Sequence, residues 1–176
     1  MSKKNDKLEA LRDAIIIRKK ITNVLRVLAL QTQKRLETLE ENVSLAKSDE
    51  EREQINENLR NERFNLWLTK EECHAVATHS NNLTSNLRMA NTIFPDSKLP
   101  TFLAELNERR VCMDRTLGAC NVLQDELQYI AEAVYADKNK FTPLTLEVEA
   151  LFNKIKAIRQ ADNRFWRQSE NVNQKI

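Results

Sequence analysis

The sequence predicts an all-α protein: an elongated up-down-up-down four-helix bundle of long antiparallel helices, coiled-coil-like in its packing. Three observations carry that prediction. The 176-residue chain has one glycine and three prolines, so it lacks the residues on which turns, strands and phosphate loops depend. It is 41% hydrophobic and 31% charged, the balance of amphipathic helices around the core of a single domain spanning residues 1–176. Between Leu103 and Val134, Leu106, Met113, Cys120, Leu127 and Val134 recur every seven residues, with Leu103, Leu117 and Ala131 offset between them.

Residues 1–5 read as a basic, frayed start. Asp6 with Glu9 offers a capping box for a first helix over 6–47, in which Leu8, Leu11, Ile15, Ile17, Ile21, Val24, Leu25, Leu28, Leu36, Leu39 and Val43 keep helical spacing without a breaker. Ser48, followed by Asp49, Glu50 and Glu51, marks the next start: a serine cap with acids in the first turn. The second helix, 49–92, carries Ile55, Leu59, Leu66, Cys73, Val76, Leu83, Leu87 and Ala90, and its weak point is the run of poor helix formers from Thr78 to Asn82.

Pro95 and Pro100 bracket the turn that ends this helix, and a third follows over 101–136. After a polar link, Thr142 is expected to cap a fourth helix over 143–167, with Pro143 at its first position and Phe141 stapled to Leu146. Leu144, Val148, Leu151, Ile155, Ile158 and Phe165 form its apolar stripe, and 168–176 read as a frayed tail. Short links make sequential helices antiparallel, and helices of about 40 residues give a rod on the order of 60 Å long. Folding about the proline turn brings Cys73 and Cys120 to nearly one level, as a thiol pair or as two small core residues.

Charge reverses sign along the chain. Residues 1–36 hold ten Lys/Arg against three Asp/Glu, whereas residues 37–62 hold three against nine. The basic start of the first helix lies beside the basic end of the fourth, which makes Lys19, Lys20, Lys154, Lys156, Arg159, Arg164 and Arg167 the candidate polyanion-binding residues. Phe165 and Trp166 interleave with them, to stack on bases or to close the bundle end. Solvated helix faces matched to the macrodipoles give the same pattern without any ligand.

Enzyme chemistries fail one by one. Glu71 and His74 have the spacing of a di-iron ligand pair, but that centre needs two pairs and His79 has no Glu three residues before it. Cys73 and His74 are helix neighbours pointing about 100° apart, so they cannot act as nucleophile and base. Helical-bundle ribonucleases place Arg four to six residues before His, and neither histidine here has one. Gly118 stands alone in mid-helix, where it allows a close helix contact. No catalytic, cofactor or metal residue is assigned, and no small-molecule substrate is expected. Three cysteines with no secretory leader suit free thiols in the cytoplasm, and the apolar burst Ala14–Ile17 is too short to cross a membrane.

Arg109 and Arg110 open a leucine-rich seam, and a Thr142–Pro143 start leads to a final helix ending in Trp166. In these features the last two helices resemble the small four-helix-bundle accessory proteins of diversity-generating reverse transcriptases. The resemblance covers under half the chain, and the first two helices are longer here. It implies binding of a reverse transcriptase and its RNA through a basic surface. The expected function is therefore a non-catalytic interaction or assembly protein, an adaptor or accessory subunit that binds a protein partner or itself. The alternative is a nucleic-acid-binding accessory protein using the basic end.

Overall fold

The computed structural model describes the backbone over residues 4–96, 98–134 and 138–173, and side chains over 7–96, 98–134 and 139–163. Four helices, α1 (Lys4–Leu45), α2 (Asp49–Thr92), α3 (Phe102–Ala133) and α4 (Lys138–Asn173), make up an all-α four-helix bundle. Among the described residues, contacts run α1–α2, α2–α3, α3–α4 and α4–α1 around the ring, with no diagonal pair. The short links make each neighbour antiparallel, as expected.

Local chemistry sets the boundaries. Ser48 has an extended backbone, its Oγ accepts from the Glu51 N–H at 3.1 Å, and Glu51 Oε2 accepts from the Lys47 N–H at 2.8 Å, a reciprocal cap for α2. Across Thr78–Asn82 α2 continues as helix: the Ser80 hydroxyl donates to the Ala77 carbonyl and the Thr84 hydroxyl to those of Ser80 and Asn81. These bonds satisfy the buried hydroxyls without breaking the ladder. After α2, the Lys98 and Leu99 N–H groups fold onto Asp96 to form the turn into α3.

The start of α4 departs from expectation. The helix begins at Lys138, so Pro143 lies inside it and Thr142 is not its cap. Phe141 is buried in the core, which draws the turn before the proline inward, while Leu146 is 58% exposed and no staple joins them. Lying just past the first turn, Pro143 removes a single bond from the backbone ladder. At the far ends, α1 begins at Lys4 and α4 runs to Asn173, so helix extends into both segments expected to fray. Residues 1–3 and 174–176, and the side chains of Asp6 and of Arg164 through Arg167, lie outside the described residues.

The seam of α3 also differs in one row. Leu106, Met113, Cys120, Leu127 and Val134 are buried as predicted, but the second row is Phe102, Arg109, Thr116, Leu123 and Ile130. Leu103 is 49% exposed, Leu117 is half-buried, and Ala131 alone of that trio is buried. Gly118 is exposed too, and a Cβ there would meet nothing within 4 Å, so it mediates no close helix approach.

Antiparallel register separates the thiols. Arg109 reaches the carbonyls of Ala90 and Ile93, which places Cys73 level with Leu127 rather than with Cys120. The offset is about seven residues, or roughly 10 Å along the axis. Cys73 instead donates weakly to the Leu25 carbonyl of α1 at 3.9 Å, and Cys112 and Cys120 are buried. All three thiols are free.

The same register leaves α1 and α2 longer than their neighbours. Val134, just past the end of α3, is level with about Leu66, and Lys138, where α4 begins, with about Leu30. Residues 36–62 therefore project past the α3–α4 tip as a two-helix arm, on the order of 15–20 Å long. Leu36 and Leu59 are its only buried apolar residues, and neither joins the main core.

Candidate functional site

At the end where α1 begins and α4 finishes, the candidate basic residues do not form one free patch. Lys20 pairs with Glu147 at 2.6 Å, joining α1 to α4. Lys154 on α4 pairs with Asp13 and with Glu9 at 3.2 Å, both on α1. The hydrogen bond to Asp13, then that to Glu9, holds the Lys154 ammonium above the usual lysine value. Arg159 turns the other way and grips Asp114 of α3 through Nε at 2.8 Å and Nη2 at 2.9 Å, and that hydrogen-bonded pair raises its affinity for the proton. Lys156 lies 5.9 Å from the Phe152 ring centroid. Arg164, Arg167, Phe165 and Trp166 lie outside the described side chains.

Lys19 belongs to a different surface. With Arg18 of α1 and Arg88 of α2 it lines a groove whose other walls are Ile15, Thr22, Asn23 and Thr84, with no carboxylate among them. None of the three cations forms an ion pair among the described residues. Arg88 was missed from the sequence because its charge joins Arg18 and Lys19 only once the α1–α2 register is known.

Below this groove Arg109, 1% exposed, ties the bundle end together. Its Nε donates to Asp162 of α4 at 2.7 Å and its Nη1 to the carbonyls of Ala90 and Ile93, while Nη2 is buried without a partner. Since α2 carries no basic residue in its last turn, Arg109 supplies from α3 the positive charge that a helix C-terminus favours. Lys7 approaches Asp162 at 3.7 Å, and burial, followed by repulsion from Arg109, lowers its proton affinity despite the carboxylate. The Lys7 carbonyl accepts from Asn91 Nδ2 at 3.0 Å, so α1 through α4 all meet here.

The arm has the opposite character. Asp49, Glu50 and Glu51 belong to the cap of α2, but Glu37, Glu41, Glu53 and Glu57 are also exposed. At its root Arg35 Nε lies 3.2 Å from Glu62 and Arg63 Nη2 donates to Glu40 at 3.1 Å. The Glu62 contact is a charge contact, not an aligned hydrogen bond, and its Oε1 is buried. Leu39, Val43 and Ile55 are only half-covered, and Leu45 at the tip is 71% exposed. Just below, Phe64 and Trp67 form an aromatic pair with centroids 5.5 Å apart, 59% and 54% exposed.

Among the described residues, no group of three or more His, Cys, Asp or Glu is placed to hold a metal ion, and no helix is long and apolar enough to cross a membrane. Compared with known proteins, the chain matches no family model, no curated protein and no solved structure.

Proposed function

We propose that the chain is a non-catalytic interaction protein, an adaptor or accessory subunit that assembles with a partner through the α1–α2 arm. The observation that carries this reading is the overhang: two helices with an apolar seam continue past the tip of the other two, so half of that seam's covering is missing. A four-helix section hides its seam on all sides, whereas a lone helix pair leaves one flank open to water. Phe64 and Trp67 add large apolar area beside it, of the kind that anchors protein interfaces. A photo-reactive residue at Ile55 or Phe64 should crosslink a partner in cells, while one at Lys156 should not. Adducts from Lys156 alone would overturn the assignment.

A second reading, polyanion binding, is favoured by the groove of Arg18, Lys19 and Arg88, whose charges have no internal partner among the described residues. Binding there would weaken steeply as salt rises, because each neutralised phosphate releases counterions. A fluorescent oligonucleotide titrated at two salt concentrations against the wild type and an R18Q/K19Q/R88Q variant tests it. Equal affinity for both proteins removes this groove from consideration.

A further inference from the structure

Resting on the interaction reading above, we infer that the arm docks a basic amphipathic helix belonging to another protein. The uncovered length sets the size of the occupant: 15–20 Å of seam takes roughly 10–14 helical residues at the usual rise. Charge sets its chemistry. Residues 37–62 carry nine acids against three bases. The acids at 49–51 are accounted for by the N-terminus of α2, but Glu37, Glu41, Glu53 and Glu57 serve no cap and pair with no cation among the described residues. Lower in the bundle the same helix, α1, meets α4 through Lys154 set against Glu9 and Asp13. A helix continuing that packing along the arm would bring lysines or arginines against Glu37 and Glu41 around an apolar stripe.

A second copy of the chain fits less well. Two arms laid together would oppose like charges, which costs affinity and slows encounter. At the other end of a second copy, Lys20, Lys154 and Arg159 are already held by Glu147, Asp13, Glu9 and Asp114, and the groove cations Arg18, Lys19 and Arg88 are divided between the packed helices α1 and α2, so no single helix presents all three to the arm. The arm is therefore complementary to a foreign cationic helix.

The test uses the full chain and two synthetic helical peptides of the stated length with one leucine stripe, flanked by lysines in the first and by glutamates in the second. Binding is read by fluorescence anisotropy, and its location by hydrogen exchange. The lysine peptide should bind, protect residues 33–66, and lose about tenfold in affinity when salt is raised from low to physiological strength. An E37Q/E41Q/E53Q/E57Q variant should bind it at least about tenfold more weakly with an unchanged thermal melt, since all four side chains are exposed. Equal binding of the glutamate peptide would overturn the cationic partner and leave the docking arm standing. Protection elsewhere, or none with either peptide, would overturn both. A multimer by light scattering whose arm is already protected without peptide would make the occupant a second copy, ending this inference but not the interaction reading.

Discussion

The guanidinium of Arg109 and the carboxylate of Asp162 meet at 2.7 Å inside the bundle end, joining α3 to α4 at the level where α2 stops. Removing only the carboxylate would leave a buried cation with its Nε unpaired. Asp162→Ala is expected to cost about 3 kcal/mol, the low end of the range for breaking a buried pair, because Asp162 keeps some contact with water. Arg109→Met, which removes the charge and keeps the volume, should cost less. Urea unfolding of the two variants measures the difference, and an equal or reversed order would show that the carbonyl contacts of Arg109 outweigh its ion pair.

Leu127 and Leu151 lie fully inside the shared core. Leu127→Ala and Leu151→Ala are each expected to lose ~2–5 kcal/mol through the cavity left behind. Leu103→Ala, on the exposed side of α3, should stay within about 0.5 kcal/mol of wild type. Chemical denaturation of the three variants checks the row assignment directly.

Gly118 offers a stabilising change. It lies within α3 with open space where a Cβ would sit. Gly118→Ala should raise stability by about 1 kcal/mol, the helix-propensity difference between the two residues. A loss on urea unfolding would mean that the position contacts something in the assembled protein.

Two thiols give a pH signature. Burial pushes the Cys73 thiol up to about 11, with the Glu72 charge adding to it, and burial alone pushes Cys120 up to about 12. Both start from an ordinary value near 9. Above that pH the unfolded chain releases these protons while the folded one keeps them, so their contribution falls as pH rises through the window up to 11–12. Lys7 works the other way: its lowered proton affinity makes stability rise with pH below 10.5. Comparing wild type with C73A/C120A at pH 8 and pH 10 isolates the thiols. The wild type should lose more stability between the two, and both thiols should resist alkylation at pH 8 until the protein is unfolded.

How much of this was legible in the sequence follows from what each signal depends on. The helix count, the Ser48 cap and the row from Leu106 to Val134 depend on local chemistry and a single period, and they appear where expected. The second row of α3 was hidden because two of its core members, Arg109 and Thr116, are polar, so Leu103 and Leu117 looked like the better continuation. Pro143 misplaced the start of α4, because a proline at the first turn and one just beyond it leave the same trace in the sequence. For the basic end, the run of cations on α1 and α4 does not reveal their partners. Asp114 of α3, which captures Arg159, and Glu147 of α4, which captures Lys20, come within reach only through register. The arm was equally hidden, since overhang is a difference between helix lengths measured across the fold.

Heptad patterns repeat, so an apolar seam by itself would let α3 slide along α2 by one repeat and still hide its leucines. The arginine in that seam forbids the slide. Moved seven residues along, its guanidinium would face the level of Leu83, where the helix has already used its own carbonyls, and would lose the open ones at Ala90 and Ile93. Arg109 thus works as a registration key, admitting one alignment of the two hairpins and so fixing how far the longer one reaches beyond the shorter.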